Sequence, residues 1–551
     1  MPIPFLPRQL YIALFSLLGL VYFSGLFGTL MDSDSAHHAS IALRMYLTGD
    51  YVTLRDQTGD YLDKPHLLFW LCALSYKVFG VNGFAYRLPS FLFSIGCVYS
   101  VYRLGTALYN KEVGKLAALF IASSFAFMLA NTDVRMEAIL TASIAFASWQ
   151  LVEFIQHKKI RNVAGAALGL AIGFSTKGHI AIFVPAVVAI FYILYRKEWK
   201  LFLDWKWLVM IALFGLLISP VVYCYYLQYN LHPERTVRGH DHINGVKFIL
   251  FNQSVARFSG EMGSVSKNDY LFFIHSFLWA FAPWSILAYL AIAGRISGFF
   301  KRKEEWATTG AFIAVALLIS FSGFKLPHYL NIIFPVASVI TAVFILKVAS
   351  QPKWNRTIFI LQLILVVLLI LLSIFINAWA FPIKKIWVII GALLLIGILS
   401  YFIRSSVFSP IQRAIVISVV AMAFVFFLLN NNFYPQLLKY QAGRELAELT
   451  KGKVDPADVY VRPKSFSASY VFYSSSLFKL FDDSLLSTGK KVWLLSEPEP
   501  LEEFRQQGYQ TGMVYSARHY RITKLNLKFL DPKKRDSACW KMELVEVLSK
   551  K

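Results

Sequence analysis

Residues 8–39 read RQLYIALFSLLGLVYFSGLFGTLMDSDSAHHA. No charged side chain occurs between Leu10 and Leu30, and a helix needs about 20 apolar residues to cross the hydrocarbon of a bilayer. Lipid offers the backbone no hydrogen-bond partner, so such a run satisfies its peptide groups internally, as a helix. The triplet Asp32-Ser33-Asp34 then marks an abrupt return to water. Arg8 precedes an apolar run longer than a signal-peptide core, and no small-residue cleavage site clearly follows it, so a retained first span is expected.

The rest of the chain repeats this pattern, with uncharged runs at 207–227, 358–376 and 414–429. Of its 551 residues 57% are hydrophobic and 16% charged, against about 45–50% and about 25% for soluble domains. That shift excludes a soluble enzyme with a large core. The net charge of +23 invites a nucleic-acid reading, but the basic residues sit in short breaks between apolar runs and form no single patch. This is the positive-inside pattern of a membrane protein, and no nucleic-acid partner is expected. With Arg8 inside the cell, the basic breaks at 103–115, 157–161, 196–206, 295–303, 347–356 and 404–413 are cytoplasmic. The breaks at 31–83, 131–137, 176–178, 229–269, 322–326 and 378–384 then lie outside. The run lengths give about thirteen spans and an external C-terminus.

The expected fold is mainly α: a polytopic transmembrane helical bundle followed by a small α/β domain. Residues 1–430 form the membrane part, with large external loops at 31–83 and 229–269, and residues 431–551 form the external domain. Strands are expected at 459–461, 492–495 and 543–548 from their β-branched and apolar content. A helix is expected at 500–507, with Glu502 and Glu503 in its first turn and Gly508 beyond its end. The four cysteines, Cys72, Cys97, Cys224 and Cys539, are scattered and predict neither a disulfide framework nor a zinc finger.

The external breaks carry the chemistry. Asp32 and Asp34 open the first loop, which later contains Asp63-Lys64-Pro65-His66. Asn131-Thr132-Asp133-Val134-Arg135-Met136-Glu137 puts two acids and an arginine between spans, Thr176-Lys177-Gly178 and Lys325-Leu326-Pro327-His328-Tyr329 each start a span, and Arg257 lies in the long loop. Short external loops need no cations for topology, so Lys64, Lys177, Arg257 and Lys325 run against the local rule. Together with carboxylates on the same face they point to an anionic substrate at the outer surface.

In that order, Asp34-Ser35-Ala36-His37-His38-Ala39, Asp63-Lys64-Pro65, Thr176-Lys177-Gly178 and Lys325-Leu326-Pro327-His328-Tyr329 resemble the motif blocks of the bacterial ArnT and protein O-mannosyltransferase superfamily of GT-C fold enzymes. The aminoarabinose-transferase branch shows Asp-Glu-x-Arg-Tyr-Ala, Glu-Lys-Pro, Thr-Lys-Gly and Lys-x-Pro-x-Tyr blocks. The resemblance covers roughly residues 8–350 and implies a glycosyltransferase using a polyprenyl-phosphate sugar, with undecaprenyl phosphate as carrier, at the periplasmic face of a bacterial inner membrane. It implies Asp34 as catalytic base, Lys64 as a contact to the donor phosphate, and Glu137 as the second carboxylate. His37 stands where relatives have a phosphate-binding arginine, and Asp63 replaces the usual glutamate. The cations Lys177, Arg257 and Lys325 complete the phosphate-binding set, while Asp32, Asp63, His328 and Tyr329 are candidates to line the site.

The chemistry asks for such groups independently of the family. Lysine or arginine stabilises the charge that grows on a departing phosphate, and a carboxylate takes the proton of the attacking hydroxyl. No cofactor is required, and a divalent metal is left open. The acceptor is a glycolipid such as lipid A, or a protein. Three other readings compete. Asp32-Ser33-Asp34 matches the D-x-D of nucleotide-sugar transferases, although nucleotide sugars are scarce outside the cell. His232, His240, Asp241 and His242 form either a metal site or a solvated loop. A secondary transporter or flippase for an anionic lipid or sugar would also be polytopic, but would favour ionisable groups at mid-membrane and paired half-repeats.

Overall fold

The computed structural model describes residues 4–550 apart from 33, 58, 238–240, 254–268, 299–300, 302–303, 463–466 and 489–490. Among the described residues, eight helices are long and apolar enough to cross a membrane, and a ninth arises if the bent pair Lys111–Ala122 and Phe125–Thr132 is one span. Four shorter apolar helices accompany them. The polytopic α class expected from the sequence is what the fold shows. The outward faces of Pro352–Ala380 and Ile386–Arg404 leave Leu368, Leu371, Leu372, Ile390, Leu393 and Leu394 more than half exposed. In water these ridges would forfeit the transfer energy of their side chains, roughly 1.5–3 kcal/mol each; lipid removes that penalty. The four cysteines are unpaired.

The first eight helices are α1 (Arg8–Gly25), α2 (Asp34–Thr48), α3 (Leu67–Phe79), α4 (Gly83–Leu108), α5 (Lys111–Ala122), α6 (Phe125–Thr132), α7 (Glu137–His157) and α8 (Ile160–Lys177). Asn82 and Asn110 cap α4 and α5, each accepting backbone N–H bonds from the first turn it precedes, as short polar side chains at that position do. α7 and α8 pack closely because a small residue lies at the crossing: a Cβ on Gly173 would meet the Ala181 Cβ and the Ser143 Oγ at 2.5 Å. Gly178, at φ 79°, ends α8 and turns the chain directly after Lys177. That turn fixes the lysine at one end of the bundle.

The C-terminal sheet has the order β2-β1-β3-β5-β4, built from β1 (Val459–Val461), β2 (Lys479–Leu480), β3 (Val492–Ser496), β4 (Tyr509–His519) and β5 (Trp540–Lys550). β1 pairs parallel with β2 and β3, whereas β5 runs antiparallel to β3 and β4. The expected strands at 459–461, 492–495 and 543–548 and the helix at 500–507 correspond to β1, β3, β5 and Pro498–Gln506. Sequence reading missed β2 and β4. The sheet is joined to the bundle by the helices Ala442–Thr450 and Ala468–Ser474. The second of these buries Ala468, Val471 and Phe472 in one apolar cluster with Ala36, Ala39 and Leu43 of α2 and with Leu68, Phe69 and Cys72 of α3.

Candidate active site

Five distant stretches meet in one cavity of about 200 Å³ at one end of the bundle. Asp34, His37 and His38 reach it from the start of α2, and Tyr61, Asp63 and Lys64 from the loop before α3. Arg135, Met136 and Glu137 come from the bend between α6 and α7, Lys177 from the end of α8, and Phe324, Leu326, His328 and Tyr329 from the segment that opens Pro327–Val348. Eight of the residues singled out in the sequence therefore line one space: Asp34, His37, Asp63, Lys64, Glu137, Lys177, His328 and Tyr329.

Two salt-bridge systems organise it. Arg135 Nη1 donates to Asp34 Oδ2 at 2.7 Å while Nη2 holds Asp133 Oδ2 at 3.0 Å, so one guanidinium spans two acids from different segments. Asp34 keeps 48% of its side chain exposed and is the open member of the set. Behind it, Lys177 Nζ donates to Glu137 Oε1 at 2.5 Å, and His328 Nε2 lies 3.4 Å from the same oxygen. The lysine also sits 4.4 Å from the Tyr329 ring centroid, where a cation is attracted to the ring face. Glu137 Oε2 is buried with no hydrogen-bond partner among the described residues. His37 pairs through Nε2 with Asp56 at 3.1 Å and packs edge-on against Tyr61. Burial, reinforced by His37 and Lys64, holds the His38 imidazole well below the usual histidine range; it lines the cavity uncharged. Burial also raises the Asp133 carboxyl, against the pull of Arg135.

The loop that carries Asp63 and Lys64 has little regular structure, and its backbone is held by side chains from elsewhere. Gln228 accepts from the Leu54 N–H and donates to the Leu54 carbonyl, both at 2.9 Å. Gln253 donates to the Asp63 carbonyl, and His66 bonds the Val52 carbonyl at 2.8 Å. On the other side of the cavity, the fully buried Arg87 of α4 donates to the carbonyls of Leu26, Gly28, Thr29, Gly83 and Thr132. Arg87 thus fixes both chain segments that deliver acids: the one leading to Asp34 and the one leading to Asp133 and Glu137.

Two sequence candidates fall elsewhere. Asp32 is not brought into the cavity; its N–H donates to Gln441 and its carboxyl bonds Ser469, so it faces the C-terminal helices. Lys325 is buried and lies 5.5 Å from the Tyr270 ring centroid, outside the cavity lining. Arg257 lies outside the described residues, as does His240. His232 pairs with Glu234 at 3.0 Å, and among the described residues no group of three His, Cys, Asp or Glu could hold a metal ion. Arg135 and His38 were not singled out as site residues. Both stand inside quoted blocks, and the arginine in a short external loop breaks the topological rule as the lysines do.

Comparison with known proteins bears on the fold that holds this cavity. The sequence model of the dolichyl-phosphate-mannose-protein mannosyltransferase family matches residues 63–224, which include Lys64, Arg135, Glu137 and Lys177. The crystal structure of ArnT from Cupriavidus metallidurans bound to undecaprenyl phosphate superposes with a TM-score of 0.74 at 14% identity, over 97% of each chain. The chain has the fold of that ArnT, the GT-C fold. It is 26% identical over 336 residues to the undecaprenyl phosphate-alpha-4-amino-4-deoxy-L-arabinose arabinosyl transferase of Pseudomonas aeruginosa (strain UCBPP-PA14), covering 59% of this chain and 57% of that protein. It is 26% identical to the second such transferase of Proteus mirabilis (strain HI4320), over 55% of this chain and 53% of that one. The matched region thus spans a little over half the length of these curated relatives.

Proposed function

We propose that the protein is an integral membrane glycosyltransferase that moves a sugar from a polyprenyl-phosphate donor to a hydroxyl or phosphate of an envelope acceptor. The acceptor is a lipid A-like glycolipid or a protein, and the reaction takes place at the periplasmic face of a bacterial inner membrane. The observation that carries this reading is the convergence of Asp34, Lys64, Arg135, Glu137 and Lys177 in one cavity at one end of the bundle. Relatives whose names specify an undecaprenyl-phosphate-linked sugar support the donor class. Residues 431–551 are taken as the periplasmic domain.

In the proposed reaction the acceptor oxygen attacks the anomeric carbon as the bond from that carbon to the phosphate oxygen breaks. The sugar–acceptor bond forms with inversion, polyprenyl phosphate leaves with the bonding electron pair, and Asp34 accepts the acceptor proton. Asp34 is chosen because its carboxylate is the exposed one, whereas Glu137 is buried and committed to Lys177. Lys64 and Arg135, with His37 beside them, stabilise charge on the leaving phosphate, an effect that preorganised cations supply strongly in a dry site. Glu137 orients Lys177 and His328.

The test is transfer from synthetic polyprenyl-phosphate sugars by purified protein in detergent, wild type against Asp34→Asn. Release of polyprenyl phosphate that falls by at least about 10²-fold in the variant, with folding and donor binding intact, is the expected result. Near-normal turnover by the variant refutes Asp34 as base. No release from any donor across lipid and protein acceptors favours a transporter or flippase.

A further inference from the structure

The chain between α1 and α2 forms no helix or strand over residues 26–32, yet it must deliver Asp34 to the cavity. Arg87 takes its first carbonyls. The groups nearest Asp34 are taken by the C-terminal part of the chain, some four hundred residues away in sequence. The Leu30 N–H donates to the Tyr473 hydroxyl at 2.8 Å. Gln441 Nε2 donates to the Leu30 carbonyl at 2.9 Å, and Gln441 Oε1 accepts from the Asp32 N–H at 2.5 Å. The Gln441 side chain is fully buried, and its primary amide has one donor face and one acceptor face. It pairs with Leu30 and Asp32 as a neighbouring β-strand would, clamping the peptide two residues before Asp34.

We propose that Gln441, seconded by Tyr473, is a positioning residue for Asp34, so that the C-terminal region sets the place of the base as well as covering the bundle. The proposal rests on the reading of Asp34 as catalytic base. Burying three backbone polar groups without partners would be costly, so the clamp is obligatory for this chain path. Its removal lets residues 30–32 relax while the apolar contact of Ala468, Val471 and Phe472 with α2 keeps the domains joined. A displacement of about 1 Å at a reacting group can cost roughly 10²-fold in rate. Lys64 lies on another segment, and Arg135 keeps its bond to Asp133 when Asp34 shifts, so donor binding need not move with it.

The experiment compares Gln441→Met, which keeps the length without the polar atoms, Gln441→Glu, which keeps the acceptor for Asp32 but loses the donor to Leu30, and Tyr473→Phe. Each is made in wild-type and Asp34→Asn backgrounds, with kcat, donor KM and thermal stability measured on full-length protein in detergent. The expected result is a kcat about 10²-fold down in Gln441→Met, a smaller loss in Gln441→Glu and Tyr473→Phe, and a donor KM within about threefold of wild type. In the Asp34→Asn background Gln441→Met should change the residual rate by less than about threefold, because coupled residues are not additive. Equal losses in both backgrounds, or a loss that tracks thermal stability alone, overturn the positioning role. Full kcat in Gln441→Met beside an inactive Asp34→Asn also overturns it and leaves the base assignment standing. Normal kcat in Asp34→Asn overturns the base assignment itself, and the proposal with it.

Discussion

Removing Lys177 and Glu137 singly and together separates the two tasks open to this pair. The charges are 2.5 Å apart, with side chains 9% and 4% exposed. At an effective dielectric of about 20, Coulomb's law gives roughly 7 kcal/mol of gross attraction, and withdrawing each ion from water costs several kcal/mol in return. The net worth of the pair is therefore small, but the cost of breaking it from one side is large. Lys177→Met leaves a buried carboxylate with His328 Nε2 at 3.4 Å and the more distant charge of Arg135 and is expected to destabilise the fold by about 3–5 kcal/mol. Glu137→Gln/Lys177→Met removes both charges and should be more stable than Lys177→Met alone. Thermal unfolding of the four proteins in one detergent measures this, and strictly additive losses would refute the buried-pair reasoning. Donor KM in the same set addresses the second task. A KM that rises with Lys177→Met in both backgrounds keeps Lys177 among the phosphate ligands. An unchanged KM in the double variant assigns it to structure and leaves Lys64 and Arg135 as the principal cations.

Arg135→Gln should lower kcat by about 10–10³-fold, since it frees Asp34 and strands Asp133; unchanged kcat and KM would remove Arg135 from the site. Arg87→Lys replaces a planar fork with a single point donor and cannot reach five carbonyls, so it should cost at least about 2 kcal/mol, read as a lower unfolding temperature; an unfolding temperature equal to wild type would refute that. Burial pushes the Asp32 carboxyl up to about 6, so the folded chain holds this proton to higher pH than the unfolded chain does. The contribution to stability is full below about pH 4, where both forms are protonated, and is lost as pH rises to about 6. Asp32→Asn should remove that fall, and parallel stability curves for the two proteins across this window would contradict the assignment.

Much of the fold was legible because its signals are local. An uncharged run such as 10–30 declares a span without reference to its neighbours, and the buried β1 and β3 declare themselves by apolar content. β4 was missed because its pairing with β5 slips between Gln510 and Thr511 and again before Val514, and such bulges break the period-two alternation that marks a strand. β2 is two exposed residues long and has no pattern to show. At the site, lysines and acids stood out because charge on the outer face is anomalous. Gln228, Gln253 and Gln441 did not, because a neutral amide violates no topological rule, and its value here lies in backbone groups far away in sequence. Asp32 was expected among the residues lining the site, yet its partners Gln441 and Ser469 belong to the C-terminal region, a fact no local pattern encodes.

Lys64 and Lys177 run against the topological grain and point to an anionic ligand, but in the cavity they do not stand as net charge. The described cavity lining holds three carboxylates, Asp34, Asp63 and Glu137, beside Lys64, Arg135 and Lys177. Counted on these six side chains alone, the set is balanced. Selection of a phosphate therefore depends on which cation is most easily re-partnered. Lys177 is buried between Glu137 and the Tyr329 ring and has little freedom to leave. Arg135 differs: a guanidinium has five N–H donors, and this one touches Asp34, Asp133 and His328 at the cavity wall. It can keep Asp133 and still turn an N–H toward a phosphate oxygen, whereas a lysine at the same place would exchange one partner for another. For that reason Arg135→Lys, which preserves the charge, is expected to lose most of what Arg135→Gln loses.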